Sequence, residues 1–343
     1  MSQEGEEPHT NGQSQSFLQL KTTNEDGAEA WQNVSQLQNK HGSTTDISQE
    51  KQTSNEENEQ HPHLKVLPMT VKHLLSPKAT IKAHRKANFL YRHSKDKIDT
   101  NLLIFLHGAG DSHVPFHTLA KKMNIPQCAS LSLHASCMDE GFATLPFGLG
   151  HSWFAELDYA TGQPLHKNNF RLVSSLQRAV DKLDQIISEL TEGGWVPERI
   201  FLFGFSAGAC LAMQTCLDRT RKNKLALGGA ICVAGGVRGP IKEKDSEQSD
   251  GKANSTPVLI IGGSKDEQFT PLAAKEAVDL YNTFSNTAPT PSAKSFIMEG
   301  KGHGMISSVE ETHALMEFCG QHMVRRMIAM EGYCEISPDQ FRT

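Results

Sequence analysis

The chain has 343 residues, enough for one large domain or two small ones. Its net charge is −5. So mild a charge gives no footing for a nucleic-acid partner or an acidic membrane surface. Seven scattered cysteines without a Cys-x-x-Cys pair point to a reducing compartment rather than a disulfide framework. The first residues lack the basic and apolar regions of a signal peptide, and no apolar run reaches membrane-spanning length. A soluble, cytoplasmic protein without stable membrane insertion is expected.

Residues 1–63 are rich in Gln, Asn, Ser, Thr, Glu and His, with apolar residues too sparse to offset the entropy of ordering them. A disordered polar tail is expected there, with one folded domain over 64–343. Short strands are predicted at 80–82 and 87–93, and a stronger one at 102–106. The last runs into His107-Gly108-Ala109-Gly110-Asp111, a glycine-rich loop. In that loop His107 and Asp111 are read as braces, and His113 and His117 as solvated residues at a helix start. Another strand is predicted at 129–134.

A long connection, 135–169, carries Phe142, Leu145, Phe147, Trp153 and Phe154. Residues 170–190 have helical spacing, and Gly193-Gly194 stops them. The run at 200–203 is a buried strand, followed by Gly204-Phe205-Ser206-Ala207-Gly208 and then the small residues and helix formers of 209–217. Further strands are predicted at 228–236, 257–263 and 294–298. A charged surface insertion is expected at about 238–256. One helix should begin with Thr270 as N-cap and Pro271 at its first position, and a closing helix is predicted over 309–330. Strands separated by helices imply an α/β fold, a mostly parallel sheet with helices on both faces.

Gly-x-Ser-x-Gly between strand and helix is the turn that holds a nucleophilic serine exposed. A serine hydroxyl needs a base to take its proton, and that base needs an acid to orient it. After Ser206 the chain offers Asp266 directly behind one strand and His303, in Gly302-His303-Gly304, directly behind the last. That is the chain order of the hydrolase arrangement, with Glu267 as the neighbouring competitor for the acid. The backbone N–H of Ala207, with Gly108 or Ala109 from the early loop, would hold the oxyanion. Metal chemistry has less support: the sixteen histidines include no His-Glu-x-x-His, and His61 and His63 fall in the tail. Neither a metal nor a cofactor is expected.

Together, Leu106-His107-Gly108-Ala109-Gly110-Asp111, Ser152-Trp153-Phe154, Gly204-Phe205-Ser206-Ala207-Gly208, the Asp266 loop and Gly302-His303-Gly304 resemble the phospholipase/carboxylesterase family of α/β-hydrolases, which includes acyl-protein thioesterases. The likeness spans about residues 100–330. It implies Ser206, Asp266 and His303 as the triad and Ala109 with Ala207 as oxyanion donors. It also implies that the loop near Trp153 walls an acyl pocket; in the same connection Phe147 and Trp153 are expected to line the acyl slot, the alternative being that these aromatics complete the core. Family members usually carry Gln after the serine, where this chain has Ala207.

The function expected is hydrolysis of carboxylic esters or thioesters, small, lipid or protein-borne, through an acyl-enzyme. A peptidase or amidase on the same triad is the enzymatic alternative. A non-catalytic hydrolase-fold interaction module is the other. Oligomeric state leaves no trace in the sequence.

Overall fold

The computed structural model describes residues 89–135, 145, 148, 150–158, 160–240, 255–285 and 292–326. The expected tail, the strand at 80–82, Phe142, Phe147 and most of the charged insertion lie outside the described residues.

Among the described residues, seven strands form one sheet: β1 (Phe89–Arg92), β2 (Asn101–Leu106), β3 (Cys128–Leu133), β4 (Ile200–Phe205), β5 (Gly229–Val233), β6 (Val258–Gly263) and β7 (Ala293–Met298). Their spatial order is β1-β3-β2-β4-β5-β6-β7. Only the edge pair β1·β3 is antiparallel, so the expected mostly parallel sheet is what the chain builds. Between the strands run α1 (His113–Met123), α2 (Phe170–Glu192), α3 (Ala207–Arg221) and α4 (Pro271–Ser285), and α5 (Val309–His322) follows the last.

Strand side chains point alternately to the two faces, so each buried strand feeds two cores. Leu102, Ile104 and Leu106 of β2, with Ile200 and Leu202 of β4, join α2, α3 and α4 on one side. Leu103, Phe105, Phe201 and Phe203 join α1 and α5 on the other. The rings of Phe105 and Phe203 lie 5.2 Å apart across that second core. Both faces being covered explains why these strands read as continuous apolar runs rather than as alternating ones.

Several ends differ from expectation, each for a tertiary reason. β5 stops at Val233 because Ala234 turns to φ 50, and the strand prediction ran three residues beyond it, to 236. The closing helix ends at His322 rather than at 330. Beyond it, Val324 N–H donates to Asn101 Oδ1 at 3.2 Å and Val324 O accepts from Asn101 Nδ2 at 2.8 Å. Gln127 pairs with Arg326 in the same two-way fashion. Two buried amide side chains thus capture backbone that helical periodicity would have continued. Thr270 does begin α4, its Oγ1 accepting from Ala273 N–H at 3.2 Å.

Candidate active site

In a parallel sheet, loops outside the carboxyl ends of the strands share one edge. The ends of β2, β4, β6 and β7 carry the four segments singled out by the motifs, and β2 adjoins β4.

Ser206 follows β4 with φ 51 and ψ −115, a backbone that side chains rarely adopt. Ser206 N–H donates to Val233 O at 2.9 Å, and its carbonyl accepts Cys210 N–H at 3.0 Å. The turn is closed by glycines. A Cβ on Gly204 would lie 2.3 Å from Gly208 O, and one on Gly208 would lie 2.2 Å from Leu106 O. Ser206 sits at the N-cap of α3, yet its hydroxyl makes no cap hydrogen bond. It faces His303 instead, with Oγ 3.0 Å from Nε2.

His303 Nδ1 lies 2.9 Å from Asp266 Oδ2 and 3.1 Å from Oδ1. A carboxylate only accepts, so Nδ1 carries the proton and Nε2 accepts from the Ser206 hydroxyl. Asp266 Oδ1 also accepts Gln268 N–H at 2.9 Å and Phe269 N–H at 2.8 Å. These bonds fix the buried carboxylate, whose residue is 2% exposed. Glu267, the competitor for this place, is exposed. The two loops are also tied through backbone. Lys265 N–H donates to Lys301 O at 2.8 Å, and a Cβ on Gly263 would lie 2.1 Å from that same oxygen.

Ala207 opens α3, where the first backbone N–H groups have no partner within the helix. Ala109 is exposed in the loop after β2. His107 Nδ1 lies 2.7 Å from Gly108 O and so donates to it, while Nε2 accepts Ala135 N–H at 3.0 Å. Asp111 N–H donates to the same carbonyl at 3.2 Å. With the Gly108 carbonyl held on that side, the trans peptide turns the Ala109 N–H to the opposite side. Asp111 also braces the loop, its Oδ1 accepting Ser112 N–H at 2.7 Å.

His107 serves as acceptor only while neutral. Burial pushes its pKa from the ordinary 6.5 down to about 3, helped by His134, His113 and His151. The sign follows from proton uptake: between those values the unfolded chain binds the proton and the folded one does not. This contribution to stability is full above pH 6.5 and is lost as pH falls toward about 3. Urea unfolding across that window should show a steeper loss of stability in wild type than in His107→Asn.

Two residues stand where the sequence did not place them. His113, expected to be solvated, is 5% exposed and packs edge-on against His134, with ring centroids 5.0 Å apart. Trp153, assigned to an acyl pocket wall, is 2% exposed within the main core. Its Nε1 donates to His107 O at 2.6 Å and its ring lies tilted, 4.8 Å from the His107 ring, beside the loop after β2. Trp153→Ala is therefore expected to lose about 3–5 kcal/mol of stability. Trp153→Phe, which keeps most of the packing, should lose about 1–3 kcal/mol by leaving the carbonyl unpaired. Chemical denaturation of both variants checks this.

Phe205, the residue before the serine, drew no role from the sequence. Its ring lies 5.5 Å from that of His303, and a Cβ on Gly108 would come within 2.9 Å of it. It therefore lies between His303 and the loop after β2. Its place as the last residue of an apolar strand was the available signal, since such a residue must face the site or the core.

A parallel sheet covered on both faces, with Ser, Asp and His behind three of its strands, defines an α/β-hydrolase. The family model for phospholipase/carboxylesterase matches residues 92–320, and the chain belongs to that family. It is 28% identical over 193 residues to an uncharacterized hydrolase of Mycosarcoma maydis, covering 53% of this chain and 64% of that protein. It is 30% identical over 144 residues to an uncharacterized hydrolase of Schizosaccharomyces pombe, covering 41% of this chain and 55% of that one. The chain thus spans less than two thirds of the length of these relatives. It is also 27% identical over 169 residues to acyl-protein thioesterase 1 of Yarrowia lipolytica, covering 49% of this chain and 70% of that protein. Among solved structures, esterase PE8 shares the fold at a TM-score of 0.52 and 22% identity, covering 68% of this chain and 98% of that one. Acyl-protein thioesterase 2 of Zea mays does so at 0.51 and 17%, covering 68% and 98%.

Proposed function

We propose that the chain is a serine hydrolase acting on carboxylic esters or thioesters through an acyl-enzyme. The observation that carries this is the continuous path from Ser206 Oγ to His303 Nε2 at 3.0 Å and from Nδ1 to Asp266 at 2.9 Å.

His303 takes the Ser206 proton as Oγ adds to the substrate carbonyl carbon, and Asp266 stabilises the imidazolium so formed. The oxyanion is met by the N–H groups of Ala207 and Ala109, already oriented before the substrate arrives. His303 then returns the proton to the departing alkoxide or thiolate as the carbonyl re-forms, leaving an acyl ester on Ser206. Water enters, gives a proton to His303, and releases the acid by the same path in reverse. Every group needed is a side chain or a backbone N–H of this chain. The names of the relatives support the two leaving groups: a carboxylesterase of Arabidopsis thaliana matches the chain, and so do acyl-protein thioesterases of fungi. The acyl group of a small ester, a lipid or an acylated protein would be accepted alike by this chemistry.

Acyl p-nitrophenyl esters and acyl thioesters of increasing length should all be hydrolysed. If an apolar slot receives the chain, efficiency rises about fourfold per methylene, from about 0.8 kcal/mol each, and stops at one length. Cleavage of anilides with neither ester nor thioester turned over would overturn the proposal in favour of an amidase.

A further inference from the structure

The base of the triad sits on a loop, and a loop must be held if its imidazole is to meet two partners at once. The holding group is a single carboxylate. Glu311, in the first turn of α5, is fully buried and forms an ion pair with Lys301 Nζ, itself only 10% exposed. Its other oxygen, Oε2, accepts Ser307 N–H at 3.0 Å and Ser308 N–H at 3.1 Å. Lys301 lies two residues before His303, and Ser307 and Ser308 lie four and five after it. One side chain therefore closes the loop on both flanks of the base. The capping box accounts for part of this: Ser308 Oγ accepts Glu311 N–H at 3.1 Å, and Glu311 returns to the Ser308 N–H. A cap needs no buried lysine, and nothing in a helix start draws one in from ten residues upstream.

Lys301 also reaches the acid. Its carbonyl accepts Lys265 N–H, the residue before Asp266, and the next turn is pinned by Gly300 N–H donating to Ser264 Oγ at 2.8 Å. A continuous line thus runs from the Glu311 carboxylate through Lys301 to the loop that carries Asp266.

We propose that Glu311 and Lys301 are a positioning pair for the reaction, setting His303 against both Asp266 and Ser206. This rests on the serine-hydrolase reading above. The pair touches neither substrate nor the reacting atoms, so its effect should fall on turnover and not on binding. Misplacement of a catalytic group by about 1 Å can cost about 10²-fold in rate.

The test compares kcat and KM on a short p-nitrophenyl ester for wild type, Glu311→Gln and Asp184→Asn, well below each melting temperature. Gln keeps acceptors for the Ser307 and Ser308 N–H groups and a capping side chain, but loses the charge that holds Lys301. Asp184 pairs with Arg219 and Lys224 between α2 and α3, and serves as the control for loss of a buried ion pair elsewhere. Glu311→Gln is expected to lose about 10- to 100-fold in kcat with KM unchanged. Asp184→Asn should lose stability with kcat intact. Wild-type kcat in a folded Glu311→Gln, with only a lowered melting temperature, would overturn the proposal. If Glu311→Gln does not fold, Lys301→Gln carries the same test, because it keeps a donor toward Glu311 without the charge. Fluorophosphonate labelling of wild type separates the two readings. A labelled, active wild type with an unaffected Glu311→Gln removes only the positioning pair, whereas an unlabelled, inactive wild type removes the hydrolase reading and the pair with it.

Discussion

Ser206→Ala should fall by about 10⁵- to 10⁶-fold in kcat on an activated ester, while its melting temperature stays at the wild-type value. In the proposed reaction the Ser206 hydroxyl is the nucleophile, the group that stands 3.0 Å from His303 Nε2. It makes no helix-cap bond, so its removal leaves the helix start intact and costs the fold only the partly exposed bond to His303. The strained φ of 51 belongs to the backbone and persists in alanine. Replacement by glycine, which adopts that backbone freely, should be just as inactive but more stable by about 1 kcal/mol. Steady-state kinetics with thermal denaturation measures both quantities in one preparation. Activity above that floor in a folded Ser206→Ala protein would move the chemistry to another residue.

Gly208→Ala is expected to be among the most damaging single methyls in the described part of the chain. The new Cβ would stand 2.2 Å from Leu106 O and 2.7 Å from His107 O. Those carbonyls belong to the end of β2, paired with β3 and β4 on its two sides, and to a residue held by the Trp153 indole. None of this backbone can retreat without tearing the sheet or shifting the loop after β2. A loss of about 3 kcal/mol or more follows, at the upper end of what overpacking produces. The accompanying fall in kcat should exceed that of a variant equally destabilised elsewhere, because His107 also carries the brace for the Gly108 carbonyl. Urea denaturation and ester kinetics of Gly208→Ala check both parts.

The elements that the sequence reveals are those whose signal is local. Gly204 and Gly208 flank a serine between a strand and a helix because only glycine leaves room for the crossing backbone, and that steric need is written into the pentapeptide. Asp266 and His303 stand directly behind strands, so alternation of strand and helix places them at one edge of the sheet. Thr270 and Pro271 announce a helix start by their own backbone chemistry. What the sequence conceals depends on contacts far along the chain. Helical spacing continues past His322, but Asn101 and Gln127, about two hundred residues earlier, capture the backbone there. Trp153 reads as an aromatic in a pocket-forming connection, and only the tertiary fold shows the indole N–H under the His107 carbonyl. His113 is equally ambiguous, since a polar residue at a helix start is solvated unless another ring, here His134, covers it. The Lys301–Glu311 pair is half legible: Ser308 and Glu311 have capping-box spacing, but nothing local says that a lysine will be buried against that glutamate.

The central claim is that Ser206 is the nucleophile, delivered to its substrate by His303. Its most direct test is reaction of the intact chain with a fluorophosphonate, followed by peptide mass spectrometry. One phosphonyl adduct per chain is predicted, on the peptide containing Ser206, with labelling abolished by Ser206→Ala and strongly slowed by His303→Ala. An adduct on any other residue, or undiminished labelling of the His303→Ala protein, would contradict it.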